Sequence, residues 1–519
     1  MKTFHPLEVI KTLPRIIARD ETCSVVGATF NLMNSIVGAG LVAMPYAIKE
    51  CGLISGTILL VLLCYACSKS IVMLAQCAIK ARVGSLEQLC DYHFGSRCYD
   101  CIAILMMMYS TGNMVACLVV IGDTLPPILN IWFDLDHTAL REICILLVAM
   151  FALLPLVLFK NLATLSFVGV ASFGATILLV IFVAIAGPHS SRQHHASFDQ
   201  DVDMTVVSSD IFAGIGTISF HFMCQHSCLL VFGGLEVPNV SNIKKVVKYS
   251  LGTVLLLTLV IGVTGYICFN HTTDPNILNN FYRNDRLITV ARFLMTFIMV
   301  FTYPMACFVV RHAVFALLTK YFPLDTHVRN IVNQSEEDNG QWNNIPNHLV
   351  NNMDTHDEHG QVLRQWKSIE PHGSSRDVND TRSWPTSIHR VISISLLCTT
   401  VGLSLLFKDI ATVLEFVGIF AASIMGFILP GAIFCKVHET EIRRKLYTLG
   451  VQTDSESDVR GLFPENQKTS VDRDYKDSKL YFYCCLAVFG VVVMLCGVYS
   501  EISELVRGKF RSDSALENY

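Results

Sequence analysis

Apolar residues along this chain gather into long runs separated by polar stretches. Many runs approach the roughly 20 residues that an α-helix needs to cross a bilayer core. The pattern predicts eleven spans, at about 25–46, 53–78, 101–125, 142–159, 163–187, 209–232, 247–269, 289–318, 388–407, 410–434 and 480–500. Between them lie polar segments at 1–24, 188–208, 270–287, 320–387 and 435–479, with a tail from Glu501. The 320–387 insert is rich in Asn, Asp, His and Ser and has too little apolar surface to order itself, so it reads as disordered. Its histidines read as part of a solvated loop, not a metal cluster.

Three spans depart from a uniformly apolar pattern. In the first, "NLMNSIVGAGLVAMP", Asn31, Asn34, Ser35 and Gly38 recur at helical spacing and share one face. A polar face inside a span points to the bundle interior or to a water-filled cavity. Gly38 and Gly40 weaken the helix there, and Pro45 withholds the N–H that the carbonyl of Leu41 would accept. Unwound backbone in hydrocarbon must find partners, and a carboxylate with a cation would supply both kinds. Glycines alone would fit close helix packing; the adjacent asparagines favour a binding site.

The sixth span, "AGIGTISFHFMCQHSCLLVFGGL", repeats the design. Gly214 and Gly216 are helix-weakening, and His221, Cys224, Gln225, His226, Ser227 and Cys228 form a polar island. Their spacing is too compact for a usual zinc site, and a Cys–His nucleophile lacks an orienting third group. A substrate-lining segment accounts for the island better. Interrupted spans in corresponding positions point to an inverted-repeat transporter with its site at mid-membrane. In the eighth span Pro304 frees the carbonyl of Val300, and Thr302 adds a hydroxyl oxygen beside it. These oxygens and the amide oxygen of Asn34 suit a hard monovalent cation; a plain proline kink is the competing reading. Asp123 and Glu415 are intramembrane carboxylates and, with His221, are candidate coupling or gating groups. Asp123 could instead only cap its helix end.

Composition agrees with a polytopic membrane protein: 52% of the 519 residues are hydrophobic and only 16% charged. The first 24 residues lack the apolar core of a cleavable signal peptide. Lys and Arg flanking the spans fall mostly on the side that holds the N-terminus, which places that end in the cytoplasm and, with eleven spans, the C-terminus outside or in a lumen. Most of the 19 cysteines lie in apolar runs and read as small buried hydrophobes, so no disulfide framework is expected. Asn270, in "NHT", is the sequon facing outside and the glycosylation candidate. Paired catalytic carboxylates and a complete triad are lacking, so no enzyme, cofactor or nucleic-acid partner is expected.

Several stretches resemble the sodium-coupled neutral amino acid transporters of the amino acid/auxin permease group. They are "FNLMNSIVGAGLVAMPYA", "ISFHFMCQHSCLLVFGGLEVPN", "YRNDRLITVARFLMTFIMVFTYPMACFVVR", "IGDTLP" and "LEFVGIFAASIMGFILP". The resemblance implies an all-α, APC-superfamily (LeuT-like) fold: five-helix inverted repeats at 25–187 and 188–434, plus an eleventh helix at 480–500. It implies sodium binding at Asn34 and Thr302, and a substrate carboxylate at Gly38, Ala39 and Gly40. Phe220 and Cys224 would contribute from the sixth-helix break. Some members join the fifth-to-sixth and seventh-to-eighth outer loops by a disulfide; 188–208 and 270–287 hold no cysteine, so that bridge is absent here.

The leading expectation is therefore sodium-coupled symport of a neutral amino acid, with Na+ as the coupling ion and the plasma membrane favoured over lysosome or vacuole. A proton-coupled or organellar transporter keeps the same fold. An amino acid sensor signalling through a cytoplasmic partner of 320–387 is the third reading.

Overall fold

The computed structural model describes residues 23–130, 137–158, 163–194, 210–282, 285–321, 386–407, 409–448, 480–500 and 502. The expectations for the N-terminal segment, for nearly all of 320–387, for 449–479 and for the tail fall outside those residues.

Among the described residues, ten helices are long and apolar enough to cross a membrane, or up to eleven counting one bent pair as a span. That pair is the first predicted span. Helix α1 (Val25–Ile36) is capped by Ser24, whose hydroxyl accepts from Gly27 N–H at 3.2 Å. Val37 then turns extended, and α2 (Gly40–Cys51) restarts at 55° to α1. The second span is α3 (Leu53–Ala81). A short helix, α4 (Leu86–Phe94), follows; Ser85 caps it by accepting from Gln88 N–H at 3.4 Å.

The third span is α5 (Ser96–Thr124), continued by a single turn, α6 (Pro126–Leu129), with proline in its first positions. The fourth joins α7 (His137–Val148) to α8 (Leu154–Leu158) through a π-turn at Ala149–Leu153. Its end is anchored from the eighth span by Arg311, which donates to Val157 O at 2.6 Å and Ser393 Oγ at 3.1 Å. The fifth, α9 (Ala163–His194), runs past its predicted end through Pro188.

The sixth span is broken, as α10 (Ile211–Phe222) and α11 (Gln225–Gly233). Then come α12 (Val240–Phe269), α13 (Arg286–Tyr321, with Pro304 inside it) and α14 (Thr386–Leu406). The tenth runs from α15 (Ile410–Val417) through an 11-residue π-segment (Gly418–Ile428) into α16 (Leu429–Thr448), beyond the predicted 434. The last is α17 (Leu480–Ser500).

Gly214 and Gly216, expected to weaken the sixth span, do not open it: α10 runs through both. They admit neighbours instead. A β-carbon on Gly214 would meet Cys51 Sγ at 2.4 Å and the Ala47 carbonyl at 2.8 Å, so α2 lies directly on α10. Gly265 admits Pro45 from the other side, at 2.6 Å. Gly216 faces Gly418 so closely that a β-carbon on Gly418 would stand 2.0 Å from the Gly216 carbonyl oxygen. This is the close packing that small residues permit in membranes. The described cysteines are all free.

Candidate functional site

The two breaks lie together. At the end of α1, Ser35 Oγ shares a hydrogen bond of 2.8 Å with Ser227 Oγ of α11. At the start of α2, Gly40 rests on His221 near the end of α10. The first half of the first span therefore touches the second half of the sixth, and the second half touches the first.

The predicted residues take the following places. Gly38, Ala39 and Gly40 form the first break and its restart, and all three are buried. Ala39 is the N-cap of α2 but offers no side chain to cap it, so the first-turn N–H groups receive no side-chain acceptor. Such a terminus favours an anion. Gly38 is flanked by α5 and α13: a β-carbon there would lie 3.4 Å from Asn113 Oδ1 and 3.6 Å from the Thr302 methyl. Asn34 is buried, its β-carbon 3.9 Å from the corresponding position on Gly169 of α9. The helix face that carries Asn34 and Gly38 thus divides between two neighbours. Thr302 donates its hydroxyl proton to Ile298 O at 2.9 Å, the bond of the proline-kink reading; its oxygen lone pairs are still acceptors.

The second break centres on Met223 and Cys224. Tyr109 of α5, which the sequence reading did not single out, reaches it: its hydroxyl lies 2.8 Å from Phe220 O and 2.9 Å from Met223 O. A hydroxyl has one proton, so the two carbonyls share it. Its ring packs on those of Phe220 and His226, with centroids 4.9 and 4.6 Å apart. Cys224 is buried, and its N–H donates to Gln225 Oε1 at 3.1 Å. Gln225 donates in turn to Ser70 Oγ of α3 at 3.3 Å.

The side chains of α10 and α11 carry buried polar atoms without a hydrogen-bond partner among the described residues: Thr217 Oγ1, Ser219 Oγ, His221 Nδ1 and His226 Nδ1. Each such atom costs about 1–3 kcal/mol when nothing pairs with it. Ordinary core is not built this way, and a polar ligand or water would relieve it.

Asp123 is not simply a helix cap: it pairs with Arg141 of α7 at 3.5 Å. Glu415 is half-buried on α15, and its backbone carbonyl lies 3.2 Å from where Gly216 would place a β-carbon. Asn270 ends α12 with a positive φ of 47° and starts a short 3-10 turn.

A further buried ion pair, also missed, lies away from the breaks. Glu87 of α4 accepts from His312 Nε2 of α13 at 3.0 Å, and both are almost wholly buried. Burial alone would raise the Glu87 pKa. The hydrogen bond and charge of His312, with further hydrogen bonds from Glu87's own backbone and Ser85, outweigh it and hold the carboxyl below its ordinary value. A capping Ser85 followed at once by an apolar–acidic step was the available sequence signal for α4.

The profile of the family described as "Transmembrane amino acid transporter protein" matches residues 21–449. The cattle (Bos taurus) protein named "Putative sodium-coupled neutral amino acid transporter 11" is 28% identical over 303 residues; the match covers 57% of this chain and 64% of that protein. "Vacuolar amino acid transporter 2" of Saccharomyces cerevisiae (strain ATCC 204508 / S288c) is 25% identical over 419 residues, covering 79% of this chain and 76% of that protein. Among solved structures, the crystal structure of MhsT in complex with L-phenylalanine superposes with a TM-score of 0.53 at 13% identity, covering 92% of this chain and 99% of that one. That likeness establishes a shared fold.

Proposed function

The chain belongs to the transmembrane amino acid transporter protein family, and from that premise we propose that it is a secondary active transporter of amino acids. The observation that carries the reading is the juxtaposition of the two breaks, α1–α2 against α10–α11, tied by Ser35–Ser227 and Gly40–His221. Broken helices at mid-membrane offer backbone groups to a zwitterion. The substrate carboxylate docks on the uncapped start of α2, at Gly38 to Gly40. The α10–α11 break, with Phe220 and Cys224, receives the remainder. Sodium, held by Asn34 and the Thr302 oxygen, is the coupling ion of this reading. Rocking of the first, second, sixth and seventh spans against the others carries the load across. The N-terminus is cytoplasmic, the plasma membrane is the favoured location, and Asn270 is the glycosylation site.

A second reading couples the same fold to protons in an organelle. The yeast relative named as vacuolar supports it, since that match covers more of both chains than the match to the cattle protein. The test is radiolabelled uptake of neutral amino acids into vesicles reconstituted with the full chain, with sodium and pH gradients imposed separately. Uptake under the sodium gradient alone supports the first reading, and uptake under the pH gradient alone the second. No uptake under either gradient overturns both.

A further inference from the structure

The hydrogen bonds around His221 favour one tautomer. Its Nε2 lies 2.8 Å from Thr258 Oγ1 on α12. Thr258 has a single hydroxyl proton, and it is given to Val254 O at 2.8 Å. With that proton on Val254 O, Thr258 accepts from the ring and Nε2 carries the hydrogen; the opposite tautomer would leave a buried Nδ1–H without an acceptor among the described residues. The neutral imidazole then has a bare lone pair on Nδ1. That atom is buried and has no hydrogen-bond partner among the described residues.

What covers Nδ1 is the restart of the first span. A β-carbon on Gly40 would stand 2.9 Å from Nδ1 and 3.1 Å from the His221 β-carbon. The Gly40 backbone thus packs directly beside the lone pair. In this packing a second ring proton on Nδ1 would have no hydrogen-bond partner among the described residues. If α2 moves away from α10, as a rocking transporter requires, Nδ1 becomes reachable.

We infer that His221 is a proton-binding site gated by α2: it takes a proton on Nδ1 when α2 and α10 part and releases it when Gly40 closes on the ring. The inference rests on the transporter reading. Protonation makes both ring nitrogens donors, and the new N–H points to the break where a substrate carboxylate would dock. The step is a proton transfer from water to Nδ1 and back, with no other bond changed. Ionisable groups on the packed elements include Tyr46, Lys49, Glu50 and Cys51 on α2, Glu415 on α15, Cys64 and Cys67 on α3 and Tyr109 on α5. On α12 none occurs between Tyr249 and Tyr266. Glu50 and Glu415 are the carboxylates among them, so the proton on His221 is read against their charges.

The test uses the full chain in vesicles loaded with a fluorescent pH reporter, with a panel of neutral L-amino acids added singly. For wild type, addition of a transported amino acid should change the internal pH. Exchange of labelled for unlabelled amino acid reports substrate movement independently. His221→Gln keeps an N–H for Thr258 but cannot titrate between pH 5 and 8. The proton movement per amino acid taken up should fall at least tenfold, and accumulation driven by a pH gradient should be lost. A retained pH signal in His221→Gln overturns the site. So does wild-type exchange without any proton movement, which leaves the transporter reading standing. Absence of exchange by wild type with every amino acid of the panel removes the transporter reading itself. Should the glutamine variant fail to fold, Thr258→Val serves: it keeps the imidazole but removes its partner. The pH of half-maximal proton-driven uptake should then shift, and an unchanged midpoint overturns the proposal.

Discussion

The imidazole of His221 occupies the place a side chain on Gly40 would need: a β-carbon there would lie 2.9 Å from Nδ1. The contact joins the second half of the first span to the first half of the sixth. Gly40→Ala should therefore force α2 off α10. The atom it would strike belongs to a ring already held by Thr258. Overpacking of this kind costs about 1–3 kcal/mol. The expected outcome is a folded protein with at least tenfold lower amino acid uptake, measured in vesicles after its monodispersity has been checked. Wild-type uptake would show that the contact is dispensable.

Tyr109→Phe keeps the ring stack on Phe220 and His226 and removes only the donor to the Phe220 and Met223 carbonyls. Leaving buried acceptors unpaired costs about 1–3 kcal/mol. A lower melting temperature in detergent is expected, with recovery of part of the loss when a saturating amino acid is present. No change in melting temperature would mean that the carbonyls find another donor.

Asn34→Ala should abolish sodium-dependent uptake, and Thr302→Val should weaken it. For Thr302→Val a rise of roughly tenfold in the sodium concentration for half-maximal uptake corresponds to ~1.4 kcal/mol. The isosteric methyl keeps the contact with Gly38, so the loss isolates the oxygen. Sodium titrations of uptake in both variants give the answer; unchanged curves in both would leave sodium without a site here.

Glu87 carries the pH dependence. Its folded-state pKa is lowered, so its pairing with His312 adds stability above the ordinary carboxylate range. That stability is lost as pH falls through the ordinary value toward the lowered one. Melting temperatures of wild type should fall across that acid window, and Glu87→Gln should show a shallower fall. Equal slopes would mean that another carboxylate dominates.

Gly418→Ala tests the closest helix contact. Its new methyl would be 2.0 Å from the Gly216 carbonyl oxygen, and backbone cannot yield as a side-chain tip can. Loss of folded protein on size exclusion is expected, whereas Gly252→Ala, with nothing within 4 Å, should be tolerated.

Membrane spans, and the weakness of the first and sixth, were legible because they are local properties. Apolar length sets a span. Two glycines flanking Ala39 next to a polar face mark a place where a helix can stop. The position of the sixth break was only partly legible. Gly214 and Gly216 drew attention to themselves, but they serve packing, and the chain opens instead at Met223 and Cys224 inside the polar island.

By itself, then, the sequence determined a bundle of apolar helices, two of them interrupted, with Asn34, Gly38 and His221 in or next to the interruptions. Which groups meet there was decided only by the tertiary structure. Tyr109 reaches carbonyls more than a hundred residues away, Asn113 and Thr302 flank Gly38, and the β-carbon of Asn34 lies beside Gly169. The tautomer of His221 follows from Thr258 and Val254 on another helix. Helical periodicity fixes which residues share a face, because that depends on neighbours three and four positions apart. It does not fix which helix the face meets, because that depends on how distant side chains fill common space.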